Sequence, residues 1–292
     1  MTEPAPLTRD APAKLNLVLR VLSREGGGYH SVETLYCRIR LADTVTARRG
    51  TGTGVSLRCA SPDFGPPEHN LAVRAAEAVL GAIRTPFAVE LDLEKRIPVG
   101  AGLGGGSADA AAALVLVNQL AGNAVPRAEL FQIAARLGAD VPFCLSEASL
   151  ALAWGRGDRM FSLPGLPPAP ILLLKPAAAV STADAYQWID AARAAGPLAE
   201  SHRGALLLDP TVLGAWSDVA RMAGNDFESV VFARRPQVRD AFEALARTGP
   251  IMCRMSGSGS TVFAVYRSEK DRDDARMTLG TRFGTPIASM TA

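Results

Sequence analysis

The chain has 292 residues, of which 48% are hydrophobic and 21% are charged, and its formal net charge is +2. This length and composition suit one large or two ordinary globular domains. Acidic and basic residues are interspersed, so no basic face indicates a nucleic-acid partner, and no apolar stretch approaches the roughly 18 uninterrupted residues of a membrane helix. The N-terminus also lacks the apolar run of a signal peptide. We therefore expect a cytoplasmic protein that acts on small molecules, with no nucleic-acid and no membrane partner.

The N-terminal half of the chain has the pattern of a mixed α+β protein. Alternating residues predict a strand over Ala13 to Leu22, and a second strand follows a glycine turn from about Ser31. Further short strands are predicted at Asp43 to Ala47, Val55 to Cys59 and Phe87 to Leu93. Helical spacing and start and stop residues predict helices at Asn70 to Ile83, Ser107 to Leu120 and Arg127 to Leu137.

A proline-rich connection precedes the C-terminal part of the chain. Leu163 to Pro170 contains four prolines and cannot continue regular structure, so it marks a connection near a domain boundary. Beyond it, a helix start is predicted at Asn225 to Glu228. Strands are predicted at Ile171 to Leu174, Ile251 to Met255 and Thr261 to Tyr266.

The most informative segment is a glycine-rich turn before an alanine-rich helix. Five of the seven residues from Gly100 to Gly106 are glycine. Without Cβ atoms, the backbone N–H groups of such a turn can approach an anion, and the following helix directs its unpaired N–H groups to the same place. We predict a phosphate-binding loop for a nucleotide, with Ser107 as the helix N-cap.

Two familiar nucleotide motifs fit this loop poorly. Gly100 to Gly105 spells GxGxxG, but a dinucleotide-binding unit also needs an acidic residue at the end of a strand about 20 residues later, where this chain has a loop and a helix start. A P-loop requires a lysine that the segment lacks. A nicotinamide oxidoreductase therefore remains only a weak alternative.

Blocks spread over the chain carry a resemblance to a known family. They are Pro12 to Leu17, Gly28 to His30, Gly102 to Ser107, Gly138 to Phe143, Asn225 to Glu228 and Met255 to Gly259. The stretch Pro98 to Ala111 resembles the phosphate motif of the GHMP kinases, with glycines in place of the usual serines. The blocks together are most similar to the branch of these kinases that phosphorylates 4-diphosphocytidyl-2-C-methyl-D-erythritol.

The resemblance implies a fold and a division of the chain. It implies a two-domain α+β GHMP kinase fold, with an N-terminal domain like ribosomal protein S5 domain 2 and a ferredoxin-like C-terminal domain. The expected division is residues 1–160 for the ATP-binding domain and 161–292 for the second domain, with the substrate in the cleft between them.

The resemblance also implies an activity and its catalytic residues. The expected reaction is ATP-dependent phosphorylation of the 2-hydroxyl of 4-diphosphocytidyl-2-C-methyl-D-erythritol, a step of the non-mevalonate isoprenoid pathway, with Mg²⁺ expected beside ATP. Asp140 is implied as general base and Lys14 as the residue that stabilises charge. ATP is expected to bind at Pro98, Val99, Gly100, Ala101, Gly102, Leu103, Gly104, Gly105, Gly106, Ser107 and Ala108.

The substrate residues follow from the same blocks. Tyr29 and His30 are implied to hold cytosine, since aromatic faces stack on pyrimidines and histidine can hydrogen-bond a base edge. Tyr186 is expected on the opposite face of the base, and Asn16 near the acceptor end of the substrate. No carboxylate pair indicates the Mg²⁺ ligands, and the role of Asp109, in the first turn of the predicted helix, stays open.

Two further alternatives remain. Another small-molecule GHMP kinase, of the mevalonate or homoserine type, would share the phosphate loop but would give Gly28 to His30 no stated purpose. A non-catalytic nucleotide- or RNA-binding module would need a basic, aromatic-bearing face, which the nearly neutral chain does not suggest.

Overall fold

The computed structural model describes residues 5–60, 66–196 and 213–292. The helices are α1 (Leu71–Ala82), α2 (Gly105–Leu120), α3 (Arg127–Leu137), α4 (Val141–Ser146), α5 (Thr182–Ala195), α6 (Trp216–Met222), α7 (Phe227–Arg234), α8 (Pro236–Ala246) and α9 (Glu269–Leu279). The strands are β1 (Leu7–Arg24), β2 (His30–Arg49), β3 (Val55–Cys59), β4 (Val89–Glu94), β5 (Leu150–Gly155), β6 (Arg159–Leu163), β7 (Pro170–Leu174), β8 (Gly224–Asn225), β9 (Met252–Met255), β10 (Val262–Val265) and β11 (Ile287–Met290). The predicted mixed α+β class is confirmed.

Contacts divide the chain into two compact units that interleave along the sequence. Unit 1 contains the described residues up to Ala13, together with Leu41–Val99 and Gly104–Glu147. Unit 2 contains Lys14–Arg40, Gly100–Leu103 and the chain from Ala148 onward. The long strands β1 and β2 therefore begin in one unit and end in the other. The division into residues 1–160 and 161–292 does not coincide with these units and stays a prediction.

Unit 1 packs helices against a small sheet. The C-terminal part of β2 pairs with β4 in antiparallel register, Thr44 opposite Glu94, and β4 pairs with β3 in parallel. The alanine-rich helix α2 is buried along most of its length, which suits alanine because the small side chain lets neighbouring helices approach closely and favours helix. The core of the unit includes Val79, Leu91, Ala113, Leu114 and Ile133.

Unit 2 contains a second sheet. Strands β11, β7, β10 and β9 lie side by side in that order, and all neighbours are antiparallel. In the same unit, the first part of β2 pairs with β5, β5 pairs with β6, and β1 pairs in parallel with β8. The core includes Leu172, Leu174, Val231, Leu245, Val262 and Tyr266.

Most predicted elements occur, with shifted ends. The helix α3 has the predicted bounds, β3 coincides with the predicted run, and α1 begins after Asn70, whose side chain accepts from the backbone N–H of Ala72. The separate strand predicted at Asp43 to Ala47 is wrong, because this run belongs to β2. No helix in the described ranges is both long and apolar enough to span a membrane.

Candidate functional site

The glycine-rich loop adopts a backbone that favours glycine at alternate positions. Gly100, Gly102 and Gly104 have φ angles of 63°, 77° and 70°, in the left-handed region. A Cβ atom at Gly102 would lie 2.2 Å from the backbone oxygen of Ser256. Gly102 is therefore required by a close backbone approach as well as by its φ angle.

The Ser256 to Ser260 segment packs against this loop inside unit 2. The Ser256 hydroxyl donates to the backbone oxygen of Gly102 at 2.9 Å, and the backbone N–H of Thr261 donates to the oxygen of Ala101 at 3.3 Å. Asn225, from the segment predicted to begin a helix, holds the same segment: its Nδ2 donates to the carbonyl oxygens of Met255 and Gly257. Sequence reasoning did not find this positioning role, because it depends on contacts between residues far apart in the chain.

The start of α2 differs from the prediction by two residues. The helix begins at Gly105, and Gly104 is its N-cap, so the prediction that Ser107 is the N-cap is wrong. The reason is that the left-handed Gly104 already turns the backbone into the helix. By helix geometry, the N–H groups of the first turn, from Gly105 to Ser107, have no intrahelical acceptor, and the two glycines there carry no side chain to cover them. The arrangement can accept a phosphate group.

A buried charge cluster in unit 1 lies behind the first turn of α2. The Lys95 ammonium donates to Asp109 Oδ2 at 2.7 Å and also to Asp43. Asp43 Oδ1 in turn accepts from the backbone N–H groups of Arg96 and Ile97, the residues that lead into the loop. The cluster therefore fixes the chain on both sides of the glycines. Sequence analysis left Asp109 undecided and missed Lys95 and Asp43; an acid in an alanine-rich helix was the available signal.

The charges of this cluster do not balance when all three groups are ionised. Two carboxylates and one ammonium carry a net negative charge, and Asp109 is only 2% exposed. Burial, together with the neighbouring Asp43, raises the pKa of Asp109 to about 7, while the two carboxylates raise the pKa of Lys95. Burial by itself would lower the pKa of Lys95, and the two carboxylates outweigh it; an additional proton on Asp109 makes the buried cluster neutral.

Lys14 and Asn16 lie together in unit 2, as the predicted site requires. Lys14 is only 4% exposed, and its Nζ donates to Asn16 Oδ1 at 2.7 Å. Asn16 Nδ2 donates to Thr34 Oγ1 at 2.7 Å, and Thr34 donates to the backbone oxygen of Val18. These bonds hold both side chains in one orientation. Lys14 is therefore an ordered, buried cation and not a surface lysine.

Asp140 belongs to unit 1 and lies at the start of α4. It is the N-cap residue of that helix, half-buried, and its backbone oxygen accepts from the N–H of Cys144 at 3.2 Å. Its side chain makes no capping hydrogen bond to the helix. Helix capping therefore does not orient this side chain, and the short helix that begins beside Asp140 was absent from the sequence interpretation.

The residues that are predicted to bind cytosine form two contacts in unit 2. Tyr29 is 56% exposed, and the guanidinium of Arg156 lies 4.0 Å from its ring centroid. The His30 ring stacks on Tyr186 with centroids 4.5 Å apart and an interplanar angle of 14°. A base does not fit between rings in direct contact, so His30 and Tyr186 can offer a base only their edges or outer faces.

Comparisons with family profiles and curated relatives agree with one another. The profile described as GHMP kinases N terminal domain matches residues 70–148, and that described as GHMP kinases C terminal matches residues 206–283. A 4-diphosphocytidyl-2-C-methyl-D-erythritol kinase of Synechococcus sp. is 42% identical over 92% of this chain and 88% of the relative. One of Syntrophomonas wolfei is 36% identical over 94% of each chain.

Solved structures extend the similarity to the fold. A crystal structure of 4-(cytidine 5'-diphospho)-2C-methyl-D-erythritol kinase is 33% identical, covers 98% of this chain and 99% of its own, and has a TM-score of 0.81. Homoserine kinase from Cytophaga hutchinsonii, at 19% identity, 100% and 96% coverage and a TM-score of 0.68, shares the fold alone. The predicted GHMP kinase fold is therefore confirmed. The chain belongs to the 4-diphosphocytidyl-2-C-methyl-D-erythritol kinase family of the GHMP kinases.

Proposed function

We propose that this enzyme transfers the γ-phosphoryl group of ATP to the 2-hydroxyl of 4-diphosphocytidyl-2-C-methyl-D-erythritol, in the non-mevalonate pathway to isoprenoid precursors. The observation that carries the proposal is the match, over about nine-tenths of the chain, to kinases of that name. The glycine loop and the start of α2 supply the phosphate-binding geometry that such a kinase needs.

The ATP phosphates bind at the glycine loop. The residues are those from Pro98 to Ala108, and the backbone N–H groups of Gly105, Gly106 and Ser107 are the donors at the helix start. The left-handed glycines and the hydrogen bonds from Ser256 and Thr261 hold the loop in one shape before ATP binds. A rigid donor array of this kind suits phosphoryl transfer, which depends mainly on positioning and charge stabilisation.

Asp140 accepts the proton of the acceptor hydroxyl, and Lys14 stabilises negative charge on the transferred group. Support for Asp140 is its position at a helix start where its side chain does not cap the helix. Support for Lys14 is that it is buried and held by Asn16, because a fixed cation loses little energy to reorientation during the reaction. Asn16 contacts the acceptor end of the substrate.

Tyr29, His30 and Tyr186 hold the cytidine end of the substrate. The exposed ring of Tyr29 offers one face to the base, Tyr186 lies on the opposite side, and His30 offers its ring edge. The rings of His30 and Tyr186 already contact each other, so their relative orientation is set without the base.

Mg²⁺ is the metal that kinase chemistry requires. Among the described residues, no group of three or more His, Cys, Asp or Glu side chains could hold a metal ion, and Asp109 is engaged by Lys95. Mg²⁺ often keeps water and phosphate oxygens as most of its ligands. No residue described here is assigned as its ligand, and Mg²⁺ bound together with ATP would supply charge neutralisation at the phosphates.

A coupled ADP-release assay tests the reaction and the role of Asp140. The parent should release ADP when given ATP, Mg²⁺ and the cytidine substrate, and Asp140→Ala should lower kcat by about 10²- to 10⁴-fold, the usual contribution of a general base. Asp240→Ala is the matched control, since Asp240 is an exposed acid on α8 paired with Arg239. Turnover by the parent on mevalonate or homoserine instead would contradict the substrate, and an unchanged kcat in Asp140→Ala would contradict the base.

A further inference from the structure

Two residues of helix α5 contact the His30 ring. Tyr186 and Asp190 are four residues apart on α5, so they share one face of the helix. Tyr186 stacks on the His30 ring, and Asp190 Oδ1 lies 2.7 Å from His30 Nε2. His30 is only 8% exposed, whereas the Asp190 side chain is 32% exposed and its Oδ2 lies 3.6 Å from Arg24. The ring is therefore fixed in both plane and rotation.

The carboxylate determines which ring nitrogen carries the proton. An ionised carboxylate can only accept a hydrogen bond, so Nε2 of His30 must be the donor to Asp190. In the neutral imidazole the other nitrogen, Nδ1, then has no proton and is an acceptor. Among the described residues, no group forms a hydrogen bond with Nδ1. The ring to which the proposed function assigns base binding therefore carries one hydrogen-bond acceptor, Nδ1.

An acceptor at this position distinguishes the two common pyrimidines. Cytosine carries an amino group at C4 of its Watson–Crick edge, and uracil carries a carbonyl oxygen there. A fixed acceptor can bond the amino group, but it faces the lone pairs of the uracil oxygen and leaves both unpaired. A site that is built to form a hydrogen bond with one group strongly rejects an analogue that lacks this group. The reason is that the polar atom of the site is then left without a partner.

We propose that Asp190 is a positioning residue that holds His30 with Nδ1 unprotonated, and that it thereby sets a preference for cytosine over uracil in the nucleotide part of the substrate. This inference rests on the proposed function. It assigns a specificity role to a residue outside the motifs of the sequence, through a contact between β2 and α5 that no local pattern shows.

Base selectivity tests the proposal. We would measure kcat/KM for the cytidine substrate and for its uridine counterpart in the parent, in Asp190→Leu and in the conservative Asp190→Asn. The parent should prefer cytidine. Asp190→Leu should reduce the cytidine-to-uridine ratio by about 10-fold or more, by analogy with the discrimination of one base hydrogen bond, mainly through KM, with the KM for ATP unchanged. Asp190→Asn should retain more of the selectivity, because its amide oxygen can still accept from Nε2.

The matched control is Asp184→Asn, which removes the same charge from the same helix, near its N-terminus. It should leave the ratio unchanged. An unchanged ratio in a folded Asp190→Leu enzyme would overturn the proposal, since a merely structural role would lower stability without changing the choice of base.

The imidazole ¹⁵N spectrum of His30 in the parent gives a second readout that needs neither a variant nor turnover. A protonated Nε2 and an unprotonated Nδ1 are expected, and a proton on Nδ1 would overturn the role of Asp190 directly. If the parent shows this tautomer but does not turn over the cytidine substrate, the proposed function fails and the base preference fails with it, whereas the positioning of His30 by Asp190 stands.

Discussion

Gly26–Gly28 and Gly100–Gly106 are both glycine-rich, and they use glycine for different reasons. A Cβ atom at Gly26 or Gly28 would meet no atom of the described residues within 4 Å, whereas one at Gly102 would collide with the backbone of Ser256. The first segment needs glycine at Gly28 only for its φ angle of 82°. The second segment is enclosed by packed backbone and, at the start of α2, by the buried cluster of Lys95, Asp43 and Asp109.

This comparison separates a turn that presents side chains from a loop that presents its backbone. The Gly26–Gly28 turn leads directly to the exposed Tyr29 and to His30, so its ligand would contact side chains. The Gly100–Gly106 loop places N–H groups at a helix start, so its ligand would contact main chain. Composition alone cannot distinguish the two segments, but substitution of their glycines can, and a pH titration tests the buried cluster of Lys95, Asp43 and Asp109 at the start of α2.

The largest effect is expected for Gly102→Ala. The new Cβ would lie 2.2 Å from the Ser256 oxygen at a φ angle of 77°, so collision and backbone strain add together. We expect a loss of about 3 kcal/mol or more in the free energy of unfolding, measured by urea denaturation. Gly100→Ala is the matched control, because its φ is 63° but its Cβ would meet nothing within 4 Å of the described residues. Equal losses in both variants would show that the close approach to Ser256 is not what requires glycine.

The second effect concerns the pH dependence of stability. Between the ordinary value of 3.8 and the raised pKa of about 7, folded Asp109 holds a proton that the unfolded chain releases. Stability should therefore fall as pH rises through this interval, with a slope of at most about 1.4 kcal/mol per pH unit for this group. Asp109→Asn should flatten the slope.

Glu228 provides the comparison for this measurement. Burial raises its pKa to about 7 as well, so its contribution has the same sign and persists in Asp109→Asn. The free energy of unfolding, measured at steps from about pH 4.5 to about pH 7.5, should have a smaller slope in Asp109→Asn and the smallest slope when Glu228→Gln is added. An identical slope in parent and Asp109→Asn would mean that the buried cluster is not neutralised by a proton on Asp109.

The smallest effect is expected for Gly28→Ala. There the new Cβ meets no described atom within 4 Å, and only the left-handed φ angle of 82° opposes it. The cost should be about 1 kcal/mol, while Gly26→Ala, whose Cβ is equally unobstructed, should be nearly neutral. Thermal denaturation of the two variants checks this difference. A loss in Gly28→Ala as large as that in Gly102→Ala would remove the contrast between the two segments.

Local sequence patterns determined many of the helices, strands and turns of this protein. The alternation after Ala13, the Asn70 cap, the Pro126 and Gly138 boundaries of α3 and the glycine run before α2 each act over a few residues, so the chain itself specifies them. The motif blocks also indicated the kinase family, which the relatives confirmed. The roles of Lys14, Asp140 and the cytosine residues stay predictions.

Tertiary structure decided the features that depend on partners distant in sequence. Lys95 contacts Asp43 across 52 residues of chain and Asp109 across 14, Asp190 contacts His30 across 160 residues, and Ser256 contacts Gly102 across 154 residues. No local sequence pattern encodes these contacts, because burial and pairing depend on how strands and helices pack. Sequence by itself determined which segments could bind phosphate and base, and packing decided which charges hold those segments in place.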